Sequence, residues 1–136
     1  MQNFLKYNTP SIFWAAFILV ICLMPGHDLP KVDIVDFDKF VHIGVYVVLA
    51  LLTYYGWVRQ QTFAHLHQHT FLKILIILSS YGFAVEIMQE ICTADRHFDI
   101  YDAVANDIGA VIGLALAYRF FRHHQWNDST EADNEY

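Results

Sequence analysis

Carboxylate, amide, imidazole and cationic side chains recur three or four residues apart within stretches of this sequence that are otherwise apolar. Residues at this spacing share one face of a helix, so each stretch is expected to present a polar stripe. Carboxylates and imidazole can transfer protons, whereas lysine and arginine can bind an anionic group. The residues concerned are Asp38, Lys39, His42 and Tyr46 in the first stretch, Glu86 and Gln89 in the second, and Arg96, Asp99, Asp102 and Asn106 in the third.

Four apolar runs must position these stripes, and they cover about residues 4–24, 40–58, 71–91 and 100–121. Each is long enough for a helix that crosses the bilayer, since about 20 apolar residues span roughly 30 Å of hydrocarbon. The composition agrees, because 56% of the 136 residues are hydrophobic. The predicted fold is therefore an all-α polytopic membrane protein with four transmembrane helices.

Residues 1–121 are predicted to form a single membrane domain, and residues 122–136 to form a disordered cytoplasmic tail because they are polar and acidic. Pro25 and Gly26 should end the first helix. No small-residue cleavage site follows this run, and three more apolar runs come after it. We therefore interpret it as an uncleaved first helix and not as a signal peptide.

Alternating spans bring the starts of the second and fourth helices and the end of the third to the same side of the membrane. The three polar stripes are therefore expected to meet at one depth. The positive-inside rule predicts that both termini are cytoplasmic, which puts the stripes at the outer face. The basic residues then on the cytoplasmic side are Lys6, Arg59, Lys73, Arg119 and Arg122, and those outside are Lys31, Lys39 and Arg96.

The cost of exposing charge to lipid predicts that the stripes face one another. An ionisable group at the centre of a membrane helix costs about 2.5 to 3.5 kcal/mol, so such groups turn inward and pair. For Glu86, the deepest of them, the expected partners are Lys39, Arg96 or His42. The fourth run also has a pair of small residues at the spacing that lets two helices pack closely, Gly109 and Gly113.

Structural roles compete with functional ones for several of these residues. Asp38 and Asp99 could cap the second and fourth helices, and capping is favoured for Asp99. A site role is favoured for Asp102, a carboxylate one turn inside a membrane helix. The sequence assigns candidate catalytic roles to His42, Glu86 and Asp102, and candidate ligand-binding roles to Asp38, Lys39, Tyr46, Gln89, Arg96, Asp99 and Asn106.

The order and spacing of these polar residues, from about residue 25 to residue 113, resemble the VanZ-like family. The resemblance implies a multi-pass protein of the bacterial plasma (inner) membrane. The family is named for an accessory gene that lowers susceptibility to the glycopeptide antibiotic teicoplanin, so a role in the cell envelope is implied. The resemblance supplies no reaction. The pattern is Asp38-Lys39-x-x-His42-x-x-x-Tyr46, Glu86-x-x-Gln89 and Arg96-x-x-Asp99-x-x-Asp102-x-x-x-Asn106-x-x-Gly109-x-x-x-Gly113.

The first functional hypothesis is that the stripes bind an anionic group, with Arg96 and Lys39 holding its charge. The expected partners are membrane lipids or a lipid-linked cell-envelope precursor, and His42, Glu86 and Asp102 would orient the cations or shuttle protons. The net charge of −6 argues against nucleic acid.

Two alternatives stay open: a non-catalytic structural or accessory protein, and a metal-assisted enzyme using Asp38, His42, Glu86 and Asp102. Whether a reaction is catalysed is left open. No cofactor and no metal ligand is assigned from the sequence.

Overall fold

The computed structural model describes residues 2–24, 37–93 and 98–132 of the chain. Four long helices account for most of this part: α1 (Gln2–Cys22), α2 (Phe37–Arg59), α3 (Thr70–Cys92) and α4 (Ile100–Ala132). A short 3₁₀ turn, Ala64–His67, lies between α2 and α3, and the described ranges contain no strand. The predicted all-α fold is confirmed.

All four helices are long and apolar enough to cross a membrane, in the segments Asn3–Cys22, Asp38–Arg59, Thr70–Cys92 and Ile100–Phe121. These segments match the apolar runs in the sequence to within a few residues. Large apolar side chains such as Phe13, Ile91 and Phe120 are exposed on the outside of the bundle, as expected where lipid is the solvent. The chain is a multi-pass membrane protein. The backbone of α4 continues to Ala132, and the division into a membrane domain and a disordered tail at residue 122 stays a prediction.

The helices alternate in direction. Tyr54 near the end of α2 stacks on Phe121 of α4, with ring centroids 5.9 Å apart, so these two helices run parallel. Tyr81 of α3 donates a 2.6 Å hydrogen bond to the carbonyl oxygen of Ala15 in α1. Asn8, near the start of α1, donates a 3.4 Å bond to the carbonyl oxygen of Gly56, near the end of α2, which makes α1 and α2 antiparallel.

The closest packing in the bundle is between α2 and α4, where two glycines allow the backbones to meet. A Cβ atom on Gly109 would collide with the carbonyl oxygen of Ile43. One on Gly113 would lie 2.5 Å from the carbonyl oxygen of Val47. The spacing of small residues in the sequence predicts this close approach, and the approach aligns the first turns of α2 and α4.

Candidate functional site

The polar stripes of α2, α3 and α4 come together at one end of the bundle. Asp38 and Lys39 lie in the first turn of α2, and Asp102 in the first turn of α4. His42 lies one turn further along α2, where it approaches Glu86 of α3. We call the set the polar cluster; its described members are Asp38, Lys39, His42, Tyr46, Glu86, Asp99, Asp102 and Asn106.

His42 is at the centre of the polar cluster and only 5% exposed. Its Nδ1 lies 2.9 Å from Oδ1 of Asn106 and 3.8 Å from Oε1 of Glu86. Its Nε2 lies 3.9 Å from Oδ1 of Asp38, one turn earlier on the same helix. Because an amide oxygen only accepts hydrogen bonds, Nδ1 is the donor in the bond to Asn106. The other ring nitrogen, Nε2, is therefore the one on the side of Asp38.

Glu86 is completely buried, with 0% of its surface exposed. Of the partners expected from the sequence, the structure gives it His42. Within the described ranges neither of its carboxylate oxygens has a hydrogen-bond partner, and the same holds for Tyr46 Oη and Asn106 Nδ2. Buried polar atoms are nearly always hydrogen-bonded in proteins. Such a concentration of unsatisfied polar atoms is typical of a site that receives a ligand, an ion or water.

Lys39 and two carboxylates of α4 form the outer part of the polar cluster. The Nζ atom of Lys39 lies 4.0 Å from Oδ2 of Asp99 and 4.0 Å from Oδ1 of Asp102. The Lys39 side chain is 33% exposed, whereas that of Asp102 is 12% exposed. These long ion pairs link the start of α2 to the start of α4 and put a cation at the open edge of the site.

Asp99 also has the structural role that the sequence favours. Its Oδ1 accepts a 2.8 Å hydrogen bond from the backbone N–H of Tyr101, and its carbonyl oxygen accepts one from the N–H of Ala103. Both bonds are characteristic of an N-cap residue. Asp99 therefore caps the start of α4, three residues before Asp102.

Gln89 and Arg96 complete the residues selected from the sequence. The Gln89 side-chain amide donates a 2.9 Å hydrogen bond to the carbonyl oxygen of Cys22 at the end of α1, so it joins α3 to α1. Arg96 lies outside the described residues. The proposed ligand-binding roles of both residues stay predictions.

One residue at the site, Gly82, and one exposed acidic residue of α4, Asp107, were not selected from the sequence. Gly82 lies under the polar cluster, where an added Cβ would be 3.1 Å from Tyr46 Oη and 3.2 Å from Asn106 Nδ2. It is one turn before Glu86 on the same face, and this spacing could have identified it. Asp107 is exposed on α4, although it lies well inside the candidate span Ile100–Phe121. A carboxylate at that depth of a membrane helix is rare, and this could have identified it from the sequence.

The cluster has the chemical groups for binding ions of either sign. Lys39 provides a partly exposed cation at its edge. Asp38, His42 and Asp102 each offer one metal-ligating atom, and these atoms all lie within 4.8 Å of one another. The arrangement also places an imidazole between two carboxylates, those of Asp38 and Glu86, which is a geometry suited to proton transfer.

Comparison with known proteins assigns the chain to a family. No curated protein and no solved structure matches it. The family model described as VanZ/LLP1 matches residues 2–122, a range that contains all four candidate spans and every residue of the polar cluster. The match covers most of the chain and agrees with the four-helix fold and the polar pattern. The chain therefore belongs to the VanZ/LLP1 family.

Proposed function

We propose that the polar cluster binds the anionic headgroup of a membrane lipid or of a lipid-linked cell-envelope precursor. The proposal puts the cluster at the outer face of the bacterial plasma membrane, with both termini in the cytoplasm. The observation that carries it is the position of Lys39, a partly exposed cation at the end of a membrane-spanning helix. Anionic headgroups lie at this level of a bilayer.

The two ion pairs that Lys39 makes with Asp99 and Asp102 are loose enough to exchange with a ligand. Its two distances of 4.0 Å are at the limit of ion pairing, and such pairs contribute little to stability when one partner is solvated. A phosphate oxygen would gain a charge-assisted hydrogen bond from the same ammonium group, which is a stronger interaction. In this proposal Arg96, close in sequence to Asp99, supplies the second positive charge.

Apolar side chains beside the cluster suit the rest of a lipid. Phe40 follows Lys39 directly and is exposed, as are Ile100 and Tyr101 at the start of α4. A lipid whose headgroup contacts Lys39 could lay its acyl chains along these side chains. The apolar neighbours therefore favour a lipid, or a precursor on a lipid carrier, over a fully soluble anion.

His42, Glu86 and Asp102 keep their candidate roles in proton transfer or in orienting the cations. His42 Nδ1 is 3.8 Å from Glu86 Oε1, and Nε2 is 3.9 Å from Asp38 Oδ1. Small changes in side-chain position would turn these separations into hydrogen bonds. If the bound headgroup reacts, His42 is the group best placed to act as general base.

The family's association with teicoplanin makes glycopeptide susceptibility the physiological role we propose to test. A protein that binds an envelope precursor at the outer face could change the amount of target available to such an antibiotic.

The competing hypothesis is a structural or accessory protein in which the polar cluster only holds α2, α3 and α4 together. Binding measurements on purified protein separate the two.

The test is lipid binding by the purified full-length protein and a Lys39→Gln variant, measured by native mass spectrometry with phosphatidylglycerol and phosphatidylcholine. One charge-assisted hydrogen bond contributes about 1.5 to 3 kcal/mol. Lys39→Gln should therefore weaken phosphatidylglycerol binding roughly tenfold or more and leave phosphatidylcholine binding unchanged, and Lys39→Arg should restore binding.

Lys73→Gln is the matched control, because Lys73 lies at the start of α3, at the opposite end of the bundle, where it bonds to the carbonyl oxygen of His65. Equal lipid binding by wild type, Lys39→Gln and Lys73→Gln would contradict the proposal. Loss of helical circular dichroism in Lys39→Gln, with no binding change in Lys39→Arg, would support the structural hypothesis instead.

A further inference from the structure

We propose that Asp38, His42 and Asp102 form a binding site for a divalent metal ion. Their ligand atoms lie within 4.8 Å of one another, and the residues come from the facing helices α2 and α4. Two carboxylates and one imidazole are a ligand set suited to Mn²⁺ or Zn²⁺. Such a site needs no lipid and therefore goes beyond headgroup binding.

The helix geometry supplies the ligand spacing. Asp38 and His42 are four residues apart on α2, so they lie on one face. Oδ1 of Asp38 and Nε2 of His42 are 3.9 Å apart, too far for a hydrogen bond. Two ligand atoms bonded to one ion at about 2.0 to 2.2 Å lie roughly 3 to 3.6 Å apart, so the two side chains would move a few tenths of an ångström closer to hold it.

The hydrogen bond between His42 and Asn106 prepares the histidine as a ligand. Because Asn106 Oδ1 accepts from Nδ1 over 2.9 Å, the other ring nitrogen, Nε2, has its lone pair free in the neutral ring. Metal-binding histidines almost always donate their second N–H to an oxygen in this way, which fixes the orientation of the ring. Asn106 therefore positions the ligand without contacting the ion.

A second observation that points to an ion is a buried carboxylate oxygen without a hydrogen bond, Oδ1 of Asp102. Asp102 is only 9% exposed, and in the part of the chain that the structure describes its Oδ1 has no hydrogen-bond partner. Lys39 Nζ is 4.0 Å from that atom, beyond hydrogen-bonding distance. A buried carboxylate without a close partner is costly, and a coordinated cation removes that cost.

The charges of the cluster favour a cation at this position. The acidic members that the structure describes outnumber the basic ones, and a divalent ion would offset part of this excess negative charge. It would also attract an anionic headgroup to a site that is otherwise acidic. The acidic members are Asp38, Glu86, Asp99 and Asp102, and the cation is Lys39, since His42 would bind the ion as a neutral imidazole.

The first experiment titrates Mn²⁺ into the delipidated, chelator-treated full-length protein in detergent and follows the free ion by electron paramagnetic resonance. We expect one Mn²⁺ per chain, and at least tenfold weaker binding in Asp102→Asn. The matched control is Asp107→Asn, which makes the same change at an exposed position of α4 and should bind as the wild type does.

The second experiment detects a histidine ligand in the wild-type protein and then uses a variant to assign it to His42. Electron spin echo modulation of bound Mn²⁺ should show coupling to a coordinated imidazole ¹⁴N, and His42→Gln should abolish it. The proposal is overturned if the wild type binds no stoichiometric Mn²⁺, if bound Mn²⁺ shows no nitrogen coupling, or if Asp107→Asn weakens binding as much as Asp102→Asn. Because no lipid is present, none of these results bears on the Lys39 test.

Discussion

Nδ1 of His42 donates to Oδ1 of Asn106 across the interface of α2 and α4, over 2.9 Å and out of contact with solvent. This bond fixes the ring of a histidine that also lies within 4 Å of Glu86 and Asp38. Among the described members of the polar cluster, His42 is the one imidazole, and α2 and α4 together fix its orientation. That orientation determines which ring nitrogen could transfer a proton or bind a metal ion.

The first prediction concerns this bond. Asn106→Leu should lower the free energy of unfolding by about 1 kcal/mol, because interhelical hydrogen bonds in membrane proteins are of this size and the His42 N–H would lose its partner. Unfolding in a mixed detergent followed by circular dichroism measures the change. Ser80→Ala, at an exposed position of α3, should have no effect, and an equal loss in both variants would contradict the assignment.

The second prediction concerns the packing of α2 against α4. Gly109→Ala should destabilise the protein by roughly 1 to 3 kcal/mol, since the added methyl group meets the Ile43 backbone. Gly44→Ala is the matched control, because a Cβ there has nothing within 4 Å. Thermal unfolding of the two variants in the same detergent compares them. If both unfold like the wild type, the close contact of the helices is wrong.

The third prediction separates function from stability at Glu86. Because this side chain is fully buried with no hydrogen bond to either oxygen in the described structure, Glu86→Gln removes a charge that is costly to bury. We expect the free energy of unfolding to stay the same or to rise by about 1 kcal/mol, while Mn²⁺ binding weakens because a nearby negative charge is lost. Marked destabilisation with unchanged binding would show that Glu86 serves the fold.

The fourth prediction concerns Gln89. Its bond to the Cys22 carbonyl oxygen joins α3 to α1, so Gln89→Leu should loosen α1 and make it more sensitive to limited proteolysis. Among the described residues its side chain bonds to α1 and not to a proposed metal ligand, so Mn²⁺ binding should stay as in the wild type. A variant with wild-type proteolysis but weaker binding would instead place Gln89 among the ligand-binding residues, as the sequence pattern suggests.

The fifth prediction tests the orientation in the membrane. Cys92 is exposed at the end of α3, on the side of the polar cluster. In a Cys22→Ala background it should react with a membrane-impermeant maleimide added to intact cells. A cysteine at the exposed position 61, introduced as Gln61→Cys with Cys92→Ala, should react only after the cells are opened. The reverse pattern would show that both termini are outside.

The sequence was sufficient to predict the four helices and the residues of the polar cluster, because helix periodicity and the cost of charge in lipid are local and strong constraints. It could not decide between Lys39, Arg96 and His42 as the partner of Glu86. That choice depends on the rotation of α2 against α3, which is set by packing. It likewise gave no indication that Gln60 is completely buried and holds the loop through bonds to Phe63, since these contacts depend on a loop conformation without a periodic pattern.

The glycine contacts between α2 and α4 also determine how the bundle can open. Backbones that touch at Gly109 and Gly113 cannot slide or turn against each other without collision, so these two helices form a fixed frame. α3 contributes Glu86 and is bonded to the α1 backbone through Tyr81 and Gln89. Any outward tilt of α3 would therefore be transmitted to α1 through these two hydrogen bonds, at two levels of the bundle.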